Sequence, residues 1–145
     1  MTQPAPASSA TSILDVRDLA VTFSTPDGPV EAVKGLSFSV SPGKCVGLVG
    51  ESGSGKSQTV LAVMGLTPSN GRVDGQCLFE GRDIAHLKRA ELNAVRGRRI
   101  GMIFQDPLTS LTPHMTVGGQ MAEILSRHMN LKGEAAERRM VDWLE

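Results

Sequence analysis

The rhythm of apolar and polar positions changes several times along the chain, and each change marks an element. In "SILDVRDLAVTFST" apolar and polar residues alternate in places, which predicts a strand from about Leu14 to Phe23. "PDGP" then supplies turn chemistry, and alternation resumes at Val33, Leu36, Phe38 and Val40, predicting a second strand. "CVGLVG" is a short, nearly all-apolar run, the pattern of a strand buried on both faces of a parallel sheet. After a glycine-rich loop, Val60, Leu61, Met64 and Leu66 recur at helical spacing, with no proline before Pro68.

"PSNGRVDG" reads as a loop and "QCLFEGRDI" as a strand and turn. "LKRAELNAVRG" reads as a helix with Leu87, Leu92 and Val95 on one side and Gly97 past its end. "RIGMIFQDP" is predicted to be another buried strand, stopped by Pro107. "LTSLTPHMT" is a loop with helix-start signals, and "VGGQMAEILSRHM" and "GEAAERRMVDWLE" are amphipathic helices. The pattern shows no internal repeat.

Composition narrows this only a little. The 145 residues are one domain's worth, and 40% apolar content can build a core. Fifteen basic residues balance fifteen acidic ones, so net charge makes no case for nucleic acid. No apolar run is long enough to span a bilayer. "MTQPAPASSATS" lacks the basic start and apolar centre of a secretory signal, and residues 1–12 read as a disordered leader. Cys45 and Cys77 are too few and too far apart for a metal site, and fit a reducing compartment.

Chemistry concentrates in "GLVGESGSGKSQTVLAV". Gly50, Glu51, Ser52, Gly53, Ser54, Gly55, Lys56 and Ser57 match G-x-x-x-x-G-K-[ST], between a predicted strand and a predicted helix. Glycines let the backbone curl around an anion, and its N–H groups with the helix N-terminus form an anion nest. Lys56 can reach β- and γ-phosphates, the Ser57 hydroxyl can ligate Mg²⁺, and the Gln58 amide can meet an α-phosphate. Thr59 is the next hydroxyl along.

The loop alone fits several nucleotide-binding families. With "VTFSTPDGPVEAV", "GMIFQDPLTSL" and "MTVGGQM" in order and spacing, the chain resembles the ATP-binding subunits of ABC transporters, and within them the dipeptide/oligopeptide import branch. The resemblance covers residues 13–145. It implies an α/β fold: a P-loop NTPase core of the ABC ATPase kind, an antiparallel β subdomain, and the start of a helical subdomain after Gln105. It assigns Gln105 to the Q-loop as a second Mg²⁺ ligand and nucleotide sensor. It places Phe23 where the family stacks an aromatic on adenine, a role a phenyl ring can fill without a hydroxyl. Gln58 departs from the Thr or Ser common in the wider superfamily, but "KSQT" suits the peptide-import branch.

The resemblance also implies ATP and Mg²⁺ as cofactors and transmembrane permease subunits as partners. A second ATP-binding subunit would pair head-to-tail, and an extracytoplasmic solute-binding protein would act indirectly. The place of work would be the cytoplasmic face of the inner membrane, with nucleic acid excluded. The family's "LSGGQ" signature, its apolar strand ending in Asp-Glu and its switch histidine do not appear in the sequence. "VGGQ" at 117–120 follows Gln105 too closely and lacks the Leu-Ser start. The expectation is the N-terminal part of a longer importer motor, with residues 1–145 binding ATP without turning it over. Missing central strands would leave a sheet edge and an apolar face uncovered.

An alternative remains at this level: a soluble P-loop NTPase or switch, with Asp106 as the Mg²⁺ ligand after an apolar strand. Other candidates are structural. Lys88, Arg89, Arg96, Arg98 and Arg99 read as a solvated helix face, since no aromatics interleave for base stacking. Met115, Met121, Met129 and Met140 read as packing, His114 as a lone loop histidine, and Trp143 as packed on a helix.

Overall fold

The computed structural model describes residues 12–145, apart from the side chains of Leu108 and Thr109. The leader expected over residues 1–12 therefore lies, but for Ser12, outside the described residues. The chain forms two compact units, the first ending at Leu92 and the second running from Asn93 to Glu145.

In the first unit, β1 (Leu14–Thr25) and β2 (Gly28–Val40) form a hairpin, followed by α1 (Lys56–Val63), β3 (Gly71–Phe79) and β4 (Arg82–Asp83). The sheet order is β2-β1-β3-β4, antiparallel at every pairing. Val16, Leu19, Val21, Val33 and Cys77 are its buried side chains, and α1 packs on β1 and β2 with Thr59, Ala62 and Val63 buried. Helix α2 (Arg89–Val95) buries Leu92. The strands run further than alternation alone indicates. The turn shrinks to Pro26 and Asp27, and β3 starts at Gly71 rather than Gln76 because its polar segment pairs with β1.

The broken alternation in β1 has a structural cause. Val16 and Leu19 are both fully buried although a strict two-residue period would put them on opposite faces. A register shift lies between them, with Asp18 at φ 47° donating its amide to Ser37 Oγ at 2.8 Å. Gly75, at φ +93°, lies opposite the bulge. A Cβ there would sit 2.4 Å from the Asp18 carbonyl oxygen, so only glycine fits.

The β3–β4 hairpin is locked by one carboxylate. Asp83 Oδ1 accepts from the amides of Cys77 at 3.3 Å and Ala85 at 3.0 Å, and Oδ2 pairs with His86 Nδ1 at 3.0 Å. Burial pushes the Asp83 carboxyl up, but these hydrogen bonds and the charge of His86 outweigh it and hold the group below its ordinary range. Burial, with a smaller contribution from Asp83, pushes the Cys77 thiol up to about 11.

The second unit holds a 3₁₀ turn (Pro107–Ser110), α3 (Val117–Met129) and α4 (Glu134–Leu144). Thr116 caps α3 by accepting from the Gly119 amide at 3.1 Å. Gln120 clasps the preceding loop: its Oε1 accepts from the Thr112 amide at 2.9 Å, and its Nε2 donates to the Thr112 and Met115 carbonyls, each at 3.2 Å. Asn130 ends α3 in the left-handed region at φ 56°. Leu125 and Ala136 are buried as α3 and α4 pack together. Trp143 is half-exposed, its ring lying under the Arg139 guanidinium at 5.6 Å.

Two predicted strands do not form. "CVGLVG" has no ladder, and Val49 is 94% exposed. "RIGMIF" makes one isolated parallel bridge, Ile100 to Arg96, and Ile103 is 89% exposed. An apolar run records a capacity for burial. A strand also needs a neighbour to take its N–H and C=O groups, and among the described residues neither run has one along its length.

Candidate phosphate-binding site

The site is built where β2 supports the start of α1. Gly55 is the residue before the helix, at φ +88°, a region that costs other residues dearly. A Cβ on it would lie 2.2 Å from the Ala32 carbonyl oxygen and 3.4 Å from Val33 Cγ2. Glycine is thus required there twice, by conformation and by contact with the β2 backbone. Helix α1 then begins with the Thr59 amide donating to the Gly55 carbonyl at 2.8 Å.

Upstream of that bond, the amides of Gly55, Lys56, Ser57 and Gln58 have no acceptor among the described residues. No side chain caps the helix, and its first turn carries no acidic residue. These are the orphan donors and the positive end of a helix, exposed at a loop whose backbone can approach an anion. Ser57 is exposed, and its hydroxyl is unpaired among the described residues.

Lys56 closes the loop on itself. Its Nζ donates to the Gly50 carbonyl at 2.8 Å, the Glu51 carbonyl at 2.6 Å and Ser54 Oγ at 3.2 Å. All three ammonium donors therefore have acceptors. The Ser54 amide donates to the Glu51 carbonyl at 3.3 Å, tightening the same turn. Glu51, Ser52 and Gly53 lie on the exposed rim.

Gln58 and Thr59 divide differently from what their chemistry suggests. The Thr59 hydroxyl, 2% exposed, donates to the Gly55 carbonyl at 3.0 Å and is occupied within the helix. Gln58 Oε1 is buried without a hydrogen-bond partner. The amide of Gln58, rather than a neighbouring hydroxyl, is the donor left for an anion.

The other candidates are placed separately. Phe23 sits on β1 paired with Val30 and Gly71, half-buried, and a Cβ on Gly71 would come within 2.7 Å of its ring. Glycine at 71 thus leaves room for this ring beside the β3 backbone. Gln105 belongs to the second unit, exposed between the run 100–104 and the 3₁₀ turn, with Asp106 exposed beside it. Lys88, Arg89, Arg98 and Arg99 are exposed, in keeping with a solvated face. Sequence reasoning missed one contributor and one contact. Ala32 acts through its carbonyl alone, for which no residue type is diagnostic. Ser54 was grouped with the loop, but its side-chain bond to Lys56 was not foreseen.

The fit to a nucleotide's phosphates can be judged from this geometry. Unpaired amides, a helix N-terminus, a tethered ammonium and a free hydroxyl suit a polyanion carrying a divalent cation. Among the described residues no cluster of three or more His, Cys, Asp or Glu side chains could hold a metal alone. A cation here would share ligands with the phosphates, as hydroxyl-type Mg²⁺ sites do.

Residues 33–145 match the ABC transporter family. The chain is similar to the oligopeptide transport ATP-binding protein OppD of Escherichia coli, 54% identical over 97% of this chain and 43% of the relative. It is 53% identical to OppD of Salmonella typhimurium over 92% of this chain and 41% of that protein. With the dipeptide transport ATP-binding protein DppD of Bacillus subtilis it shares 43% identity over 91% of this chain and 40% of that protein. The chain thus spans less than half the length of these curated relatives. Its fold is similar to that of the dimeric bacterial ABC transporter cassette MJ0796, with a TM-score of 0.74 and 23% identity over 89% of this chain and 54% of the cassette.

Proposed function

The chain belongs to the ABC transporter family, and from that premise we propose that residues 50–58 bind the triphosphate of ATP in the motor of a peptide importer. The observation that carries the reading is the set of unpaired amides from Gly55 to Gln58 beside the Lys56 ammonium. In this reading the amides cradle the phosphates and Lys56 meets the β- and γ-oxygens. Ser57 would supply a Mg²⁺ ligand, and the Phe23 ring would stack on the base. A Mg²⁺ ion held there would supply neutralising charge to the bound phosphates.

The solute class follows from the relatives, whose names specify oligopeptide and dipeptide transport. The partners proposed are transmembrane permease subunits, a second ATP-binding subunit and, indirectly, an extracytoplasmic solute-binding protein. No described helix is long and apolar enough to cross a membrane. The proposed place of work, taken from the relatives' role in transport, is the cytoplasmic face of the inner membrane. Nucleic acid has no part in it.

The test is a titration of the chain with Mg²⁺ and a fluorescent non-hydrolysable ATP analogue. Lys56→Ala removes charge-assisted hydrogen bonds worth about 1.5–3 kcal/mol, so the dissociation constant should rise roughly tenfold or more. Coincident saturating curves for parent and variant would overturn the proposal.

A further inference from the structure

We propose that Ser54 is a positioning residue for Lys56: its hydroxyl fixes the ammonium where a phosphate will arrive. The inference rests on the nucleotide reading above and adds a role that the glycine-lysine motif does not specify, since the motif leaves this position open.

The geometry singles out Ser54. Of the three acceptors around Lys56 Nζ, Gly50 and Glu51 offer main-chain carbonyls at 2.8 and 2.6 Å, which any residue could supply. Ser54 Oγ, at 3.2 Å, is the one side chain among them. It stands directly over Gly50, where a Cβ would come within 2.7 Å of Ser54 Oγ. Absence of a side chain at Gly50 is what admits the hydroxyl to its place between the loop's first residue and the ammonium.

A lysine side chain carries about 2 kcal/mol of rotamer entropy and tolerates many geometries. Two carbonyls on one side define a hinge about which the ammonium can still swing. A third acceptor, on the Ser54 side chain, removes that freedom. The hydroxyl is suited to the task because it accepts from Lys56 through a lone pair and keeps its own proton. That proton has no acceptor among the described residues. It can turn to an incoming phosphate oxygen without releasing Lys56. A carbonyl in the same place would hold the ammonium but repel the anion.

Two measurements test the inference. In the ligand-free chain, brief acetylation read by mass spectrometry reports the freedom of each lysine. Ser54→Ala should raise labelling of Lys56 about threefold or more relative to Lys34, while Ser54→Thr restores the parent value. In Mg²⁺–analogue titrations, Ser54→Ala should weaken binding about fivefold, a typical loss for one hydrogen bond. The same change made in a Lys56→Ala background should cost clearly less, because only the hydroxyl's own bond to the phosphate is then lost. Unchanged labelling of Lys56 in Ser54→Ala, tighter binding by that variant, or equal loss in both backgrounds would overturn the positioning role. If Lys56→Ala abolishes measurable binding, the labelling result decides. A Lys56→Ala variant that binds like the parent refutes the nucleotide reading itself, a different outcome from any of these.

Discussion

Gly53 and Gly55 offer a controlled comparison, because alanine at either meets the same backbone penalty but a different neighbourhood. Both sit in the left-handed region, at φ +80° and +88°. Placing a Cβ there costs about 1–2 kcal/mol at each position. The gain from stiffening the unfolded chain is also common to both and cancels in the difference. Around Gly53 a new Cβ meets nothing within 4 Å, whereas at Gly55 it would stand 2.2 Å from the Ala32 carbonyl oxygen. That contact lies on the β2 backbone and cannot be relieved by a rotamer change. Either β2 or the start of α1 must shift, and overpacking of this kind costs about 1–3 kcal/mol. Gly53→Ala should therefore lose about 1–2 kcal/mol and Gly55→Ala about 2–5 kcal/mol. Urea unfolding followed by circular dichroism separates them. With a slope of about 1–3 kcal/mol/M, the midpoint of Gly55→Ala should fall roughly 1 M below that of Gly53→Ala. Equal midpoints would refute the reasoning, since the loop would then lift off β2 without cost.

Three further outcomes follow from the packing. Cys45 is exposed and Cys77 buried, so a thiol reagent should modify Cys45 promptly and Cys77 only on unfolding. The folded chain holds the Cys77 proton to about 11 against an ordinary 9.0, so its contribution to stability is full below pH 9 and is lost as pH rises through 11. Cys77→Val should flatten that alkaline decline, and identical slopes would contradict the assignment. Gln120→Ala deletes the bonds to Thr112 and Met115, so the Thr112 amide should exchange its hydrogen about tenfold faster. Unchanged exchange would mean that the loop is held by other contacts.

How much of this was legible in the sequence depends on what each feature rests on. The phosphate loop was legible because its glycines and lysine answer local demands, and α1 follows as the spacing indicated. The hairpin of β1 and β2 was legible in outline. Its bulge was not, because Val16 and Leu19 become co-facial only through Asp18 and Gly75, residues on different strands. The runs 45–50 and 100–104 were misread as strands for a related reason. Their apolar content is local, but a ladder is a property of pairs. The Asp83 lock was hidden in a stretch that read simply as strand and turn, where one carboxylate satisfies two amides and an imidazole. The roles expected of Gln105 and Phe23 rest on resemblance alone, since a glutamine after an apolar run and a phenylalanine in a strand have no chemistry of their own to suggest them.

The absent strand before the loop has a consequence for how the cradle keeps its shape. A phosphate loop is usually imagined as suspended between a strand and a helix. Here the strand side is unladdered, with Val46 43% and Val49 94% exposed, yet the curl is intact. Its restraints come from elsewhere. Gly55 rests against Ala32, and Thr59, Ala62 and Val63 seat α1 on the β1–β2 hairpin. From the other side, Lys56 reaches back to the carbonyls of Gly50 and Glu51 and ties the entrance of the loop to its exit. Two anchors, one of packing and one of charge, are enough to fix a curl this short. In energetic terms the β2 backbone at Ala32 is therefore nearer to the phosphate site than Val46 or Val49, although those residues are much nearer in sequence.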